Sequence, residues 1–373
     1  MRLALDTTSL IGARTGVGTF TAEVLARLAP RPDLDVTAFA VTRRGAKAMA
    51  AELPAGVATV RRPMVARPLR WCWTHGDLPP IEWWTGAVDV VHGPNFVVPP
   101  GRRAAEVVTV HDLTCVRFPE MCTPDVLQVP GLLRRAIARG AWVHTVSEFV
   151  AAEVVEAFDV DPSRVLAIPN GAPPTMAAGD ALVAPGGRAA AGADRYVLAL
   201  GTLEPRKDIP TLVRAFDQLA ADDPELVLVL AGPDGWGAEQ VTAAIASARH
   251  GRRIRRLGWV DDHTRTALLA GAEAVAYPSV YEGFGLPPLE ALASGTPVVA
   301  TRAGALPEVL GDAAEWAEAG DPASVASALR TVLADPARAA AIVETGQRRL
   351  AAYSWDRTAD ALVALYQRAA DAR

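Results

Sequence analysis

Residues 277–301 read Tyr277-Pro-Ser-Val-Tyr-Glu282-Gly-Phe-Gly-Leu-Pro-Pro-Leu-Glu290-Ala-Leu-Ala-Ser-Gly295-Thr-Pro-Val-Val-Ala-Thr301. An apolar strand ends at Tyr277, and the loop after it carries Glu282 and two glycines. Pro287 and Pro288 suit the first turn of a helix, where a missing N–H does no harm, and Gly295 suits its stop. The backbone N–H groups of Phe284, Gly285 and Leu286 then lie at a helix N-terminus, a place that receives phosphate or sugar oxygens. Glu290 sits about one turn further in. Two carboxylates at different depths of one pocket match the adjacent hydroxyls of a ribose or hexose edge. An isolated E-x7-E also suits two surface acids near a helix start.

The same strand–loop–helix rhythm extends in both directions. Upstream strands are expected at Arg2–Asp6, Val36–Val41, Val88–Gly93, Glu106–His111, Trp142–Ser147 and Arg164–Ile168, with helices at Gly18–Leu28, Pro130–Arg139 and Glu148–Phe158. A stretch rich in Ala, Gly and Pro, Gly171–Gly192, reads as a linker. The alternation then restarts with strands at Tyr196–Leu200, Leu226–Ala231, Ile254–Leu257, Ala274–Tyr277 and Pro297–Thr301. Between them fall helices at Ile209–Ala220, Ala238–Ala248, Asp262–Gly271 and Pro287–Ser294. Such βα units build parallel sheets that bind ligands at the carboxyl ends of their strands. Two Rossmann-like, doubly wound α/β domains are expected. A length of 373 residues agrees, because one core seldom serves more than about 250–300.

Composition excludes several function classes. Half the residues are hydrophobic and 21% are charged, so the chain folds; 37 basic against 42 acidic residues give a net charge of -5, which argues against nucleic acid as a partner. The start, Met1-Arg2-Leu3-Ala4-Leu5-Asp6, lacks the form of a signal peptide, and no run approaches the about 18–20 apolar residues of a spanning helix. A cytoplasmic protein is expected. Cys72, Cys115 and Cys122 form no CxxC pair and no zinc site. Neither half has GxGxxG between its first strand and helix, which disfavours a dehydrogenase.

The loop Gly201-Thr-Leu-Glu-Pro-Arg206-Lys207-Asp208-Ile-Pro follows the strand ending at Leu200. Adjacent Arg and Lys at a strand's carboxyl end can clamp a diphosphate, and both stay charged at neutral pH. Two solvated surface cations would read the same. Lys207 is notable because the chain has only one other lysine, Lys47. Val110-His111-Asp112-Leu113 closes a first-half strand, where a lone histidine is commonly structural. Gly16-Val17-Gly18 follows the first strand by a loop.

Taken together, these strings resemble the retaining GT-B fold glycosyltransferases of glycosyltransferase family 4, from Gly16 to about Trp355. Asp208 stands where the family more often has Asn. The resemblance implies a GT-B architecture of two domains facing across a cleft: an acceptor-side domain over 1–180, joined by a returning helix at 356–373, and a donor-binding domain over 190–355. It implies transfer of a hexose from a nucleotide diphosphate sugar to a hydroxyl of a glycan, glycolipid or lipid-linked acceptor, with retention at the anomeric carbon. His111, Arg206, Lys207 and Glu282 are then the catalytic residues. Donor binding falls to Gly16, Gly18, Gly201, Phe284, Gly285, Leu286 and Glu290, with Glu282 on the sugar hydroxyls and Glu290 on the ribose.

The motifs look most like mannosyl and rhamnosyl members, which puts GDP-mannose first and dTDP-rhamnose and UDP-sugars behind it. The Asp-x-Asp pairs, Asp33/Asp35 and Asp159/Asp161, precede first-half strands, so no metal is expected. The rivals are a nucleotide-sugar 2-epimerase, which would isomerise a UDP-sugar without acceptor, and a non-catalytic nucleotide-sugar-binding protein. Seven basic residues (Arg43, Arg44, Lys47, Arg61, Arg62, Arg67, Arg70) followed by Trp71, Trp73, Trp83 and Trp84 suit either a solvated face or peripheral contact with the inner face of a membrane.

Overall fold

The structure, a computed structural model, describes residues 1–12, 15–42, 53–60, 62–173 and 183–373. It divides into two compact units, Met1–Gly171 with Ser354–Arg373, and Ala172–Tyr353.

The first unit is built on a parallel sheet of β1 (Arg2–Asp6), β2 (Asp35–Phe39), β3 (Ala58–Thr59), β4 (Val90–Gly93), β5 (Ala105–Val110), β6 (Trp142–Thr145) and β7 (Val165–Ala167). Their spatial order is β3-β2-β1-β4-β5-β6-β7, so the winding reverses between β1 and β4. Buried Val90, Val91, Val107, Val108 and Val143 form its centre. They sit on strands covered on both faces, which is why these read as apolar runs rather than alternating ones.

The helix Trp355–Asp371 completes this unit. Ser354 caps it, and Leu362, Leu365 and Tyr366 are buried on one side. Its exposed side pairs with the helix Gly16–Leu28 and the turn after it, Arg27 meeting Asp356 and Arg31 meeting Asp360, both at 2.6 Å. Beneath it runs a buried relay. The Tyr366 hydroxyl donates to His92 Nδ1 (2.7 Å), His92 Nε2–H to Thr109 Oγ1 (2.7 Å), Thr109 to His144 Nδ1 (2.9 Å), and His144 Nε2–H to the carbonyl of Ile168 (2.9 Å). That carbonyl only accepts, so with both imidazoles neutral every bond in the chain runs in this one direction. Burial drives the same way, taking His144 down to about 3 and His92 well below its ordinary value.

The second unit repeats the pattern with β8 (Tyr196–Leu200), β9 (Val227–Ala231), β10 (Ile254–Gly258), β11 (Ala274–Tyr277), β12 (Val298–Thr301) and β13 (Glu315–Ala317). The order is β10-β9-β8-β11-β12-β13, reversing between β8 and β11, and all pairs are parallel. The carboxyl ends of β8 and β11 therefore open side by side at the switch point, where such sheets take ligands.

One expectation is corrected. The Gly171–Gly192 stretch is not all linker: residues Val183–Ala191 form a helix. Its glycines permit contact rather than flexibility, since a Cβ on Gly187 would lie 1.9 Å from the Ala267 carbonyl of the helix Asp262–Gly271. Gly16-Val17-Gly18 forms the first turn of the helix Gly16–Leu28, which starts two residues earlier than expected, with Gly18 buried. The sequence reading also passed over β3, β13 and the helices Pro322–Ala334 and Pro336–Leu350, which Asp321 and Asp335 cap. No helix among the described residues is long and apolar enough to cross a membrane.

Candidate active site

Three candidates meet at the switch point of the second unit. After β8, the chain turns through Pro205–Lys207 and enters the helix Ile209–Asp222. Asp208 makes that entry. It takes the left-handed conformation, φ 44°, and its carboxylate accepts from Thr211 N at 3.3 Å. Asn and Asp are the residues that tolerate this conformation while capping a helix, so the exchange of Asn for Asp keeps the turn intact. The turn is tied to the loop after β11 by Val280 N donating to the Arg206 carbonyl, 2.8 Å.

Glu282 Oε1 collects three donors: Lys207 Nζ at 2.5 Å, Arg206 Nη1 at 2.8 Å and Ser279 Oγ at 2.8 Å. Lys207 also donates to the Tyr277 hydroxyl and lies 4.3 Å from the centre of that ring. Arg206 Nε donates to Glu204 at 3.0 Å. Lys207 and Glu282 are buried, 9% and 5% exposed. Burial would raise the Glu282 carboxyl, yet the charges of Arg206 and Lys207 outweigh it and hold the group at about 2. Burial lowers the Lys207 ammonium, and Glu282 opposes that. Glu282 is thus the counter-ion that keeps two desolvated cations charged. The sequence separated these roles, clamp from sugar contact; the fold places them in direct contact.

Gly201 ends β8 in a positive-φ conformation and lines a pocket with Thr202, Lys207, Tyr277 and Ser279. The helix Leu286–Ala293 begins beside Glu282, with Gly285 at its N-cap at φ 108° and Pro287 and Pro288 in its first turn. The prolines carry no N–H, so the donors at this helix start are those of Gly285 and Leu286. Phe284 and Leu286 are buried, the Phe284 ring edge-on to Tyr353 at 5.4 Å. Glu290 is paired with Arg265, which no sequence motif singles out.

His111 belongs to the first unit, just past β5. Its Nε2–H donates to the Pro94 carbonyl at 2.7 Å, and Phe20 and Phe96 stand edge-on to the ring at 5.3 and 5.9 Å. Burial lowers its pKa, and the carbonyl fixes the tautomer, leaving Nδ1 as an acceptor. Gly16 and Gly18 lie in this unit too. The aspartates weighed as metal ligands have structural partners: Asp33 meets Arg31 at 3.8 Å and Asp161 caps Ser163 N at 2.9 Å. Of the tryptophan-rich stretch, Trp73 is buried while Trp71 and Trp83 are 64% and 59% exposed. Residues 43–52 and 61, which hold four of its seven cations, lie outside the described residues.

Comparison with known proteins accounts for both halves. Residues 187–349 match the family model "Glycosyl transferases group 1" and residues 14–175 match "Glycosyltransferase Family 4". The O-antigen chain mannosyltransferase B of Escherichia coli is 32% identical over 273 residues, 72% of this chain and 71% of that one. A D-inositol 3-phosphate glycosyltransferase of Kineococcus radiotolerans is 29% identical over 349 residues, 86% of this chain and 78% of that one. Among solved structures, HepE of Anabaena, in complex with UDP and glucose, superposes with a TM-score of 0.73 at 19% identity, covering 100% of this chain and 99% of that one; the fold is GT-B. With both units so matched, the chain belongs to glycosyltransferase family 4, a retaining family that transfers a sugar from a nucleotide-sugar donor.

Proposed function

We propose that the chain is a metal-independent mannosyltransferase that moves mannose from GDP-mannose to a hydroxyl of a glycan, glycolipid or lipid-linked acceptor. The observation that carries this is the Glu282–Lys207–Arg206 cluster beside a helix N-terminus; the mannosyltransferase name of the Escherichia coli relative supports the choice of sugar. The cationic groups of Lys207 and Arg206 meet the donor's diphosphate. Together with the helix start at Gly285–Leu286 they stabilise the negative charge that grows on the leaving nucleoside diphosphate. The bond from the anomeric carbon to the phosphate oxygen breaks, the acceptor oxygen bonds the same face of that carbon, and its proton passes to a donor phosphate oxygen. Glu282 keeps the cations charged through Oε1 and takes a sugar hydroxyl on its other oxygen. Glu290 holds the ribose. His111, neutral and fixed as the Nε2–H tautomer, accepts from another sugar hydroxyl through Nδ1. We place the enzyme in the cytoplasm.

A thermal-shift panel of GDP, UDP and dTDP with their sugars tests the reading. The cognate nucleotide stabilises by mass action, about 2.7 kcal/mol at a hundred times its Kd. If none raises the melting temperature, the assignment is overturned; a rise with UDP or dTDP alone removes GDP-mannose. Turnover in EDTA equals turnover without it, and loss of activity in EDTA defeats metal independence.

A further inference from the structure

Glu290 and Arg265 lie on neighbouring helices, Leu286–Ala293 and Asp262–Gly271, and Arg265 Nη2 donates to Glu290 Oε2. The arginine's helix is fixed at its start by Asp261, which accepts from Thr264 N at 2.7 Å. Both side chains are largely covered, 26% and 12% exposed. For stability the pair is a poor device. It takes two charges out of water, and Arg265 Nε is buried without a partner among the described residues. A leucine at 265 would fill the same helix face with no orphaned donor and no desolvated charge.

What the arginine supplies instead is orientation and charge. Burial pushes the Glu290 carboxyl up and Asp262, on the arginine's own helix, pushes the same way; Arg265 opposes both. An ionised carboxylate only accepts hydrogen bonds. With Oε2 engaged by Arg265, Oε1 is left for a ligand hydroxyl, and the carboxylate plane cannot turn to suit a ligand that offers fewer hydroxyls. A freely rotating carboxylate would accept one hydroxyl from either side and lose that discrimination.

We propose that Arg265 is a positioning residue that fixes Glu290 against a ribose 2′,3′-diol and so gives the site its preference for ribonucleotide over 2′-deoxyribonucleotide sugar donors. This rests on the reading of Glu290 as the ribose contact. The test is calorimetric titration of the full chain with GDP and UDP and their 2′-deoxy forms, beside donor kinetics. In the native protein the nucleotide that binds does so about tenfold more tightly in its ribo form, the size of one hydrogen bond to a charged group. Arg265→Leu weakens the ribo form about tenfold, leaves the deoxy form unchanged, and raises donor KM more than it lowers kcat. Arg265→Lys restores part of the preference, and Arg265→Gln, which is polar but shorter and uncharged, gives the same answer as leucine should leucine fail to fold. An undiminished ribo preference in Arg265→Leu or Arg265→Gln overturns the proposal. Glu290→Gln separates the layers: if it too keeps the preference, the ribose role of Glu290 falls; if it alone abolishes the preference, only the role of Arg265 falls.

Discussion

Each unit buries a polar network, and two of these are opposites. In the first, Tyr366, His92, Thr109 and His144 are all neutral and pass hydrogen bonds in one direction to a carbonyl. In the second, Glu282, Lys207 and Arg206 are all charged and converge on one oxygen. A neutral relay is stable once every donor and acceptor is matched, so it suits the docking of a terminal helix. A buried ion cluster carries a desolvation cost that packing could avoid. Such a cluster makes sense where a ligand with its own charge is to be met, and it lies at the switch point of its sheet.

The comparison can be broken most directly at Glu282. Replacing it by Gln leaves the buried Lys207 ammonium without its counter-ion, which should cost about 3–5 kcal/mol of stability, read from urea midpoints. Unchanged stability would mean the cluster is solvated and the contrast false. Lys207→Ala should cost activity more than stability, about 2.7–4 kcal/mol in kcat/KM, as for the loss of a donor that faces developing charge. Lys207→Arg retaining full activity would show that any cation serves there. On the neutral side, Tyr366→Phe removes the first donor and leaves His92 Nδ1 unsatisfied, a loss of about 1–3 kcal/mol in the urea midpoint with kcat/KM unaffected.

Acid separates the two networks by window. His144 and His92 have folded pKa values below the ordinary 6.5, so their contribution is complete above that pH and is lost as pH falls toward about 3. Asp6, raised by burial to about 6, and Glu106, raised likewise, bind protons on folding and offset part of this. Each histidine not so offset accounts for about 1.4 kcal/mol per pH unit. Glu282, at about 2 against 4.5, contributes fully above 4.5 and loses its share only below it. Hydrogen exchange between pH 6.5 and 5 should therefore quicken in β4–β6 before β8 and β11; simultaneous loosening would erase the distinction.

These contrasts also mark what the sequence could reveal. The charged cluster was legible because its members fall in two short strings, each ending a strand. The neutral relay was not: His92, Thr109 and His144 sit inside apolar strands and Tyr366 comes 274 residues after His92, so no local spacing joins them. Arg265 was silent for a related reason, since a single arginine on a helix reads as solvated until the neighbouring helix is placed. The helix Val183–Ala191 was hidden because Gly and Pro signal a break in isolation, while Gly187 serves close helix contact in context. Strand positions survived best, their ends shifting by one or two residues.

The second unit is spliced into the first: the chain leaves after Gly171 and returns at Ser354, and Ala172 N meets the Tyr353 carbonyl at 3.3 Å where the two passages come together. On the ribosome this sets an order of assembly. His92, Thr109 and His144 are made early, but the tyrosine that heads their relay emerges only after the whole of Ala172–Tyr353 has been translated. Domains fold as units during synthesis. The unit Ala172–Tyr353 can therefore mature first, while Met1–Gly171 waits, its helix-docking groove open, for the helix Trp355–Asp371.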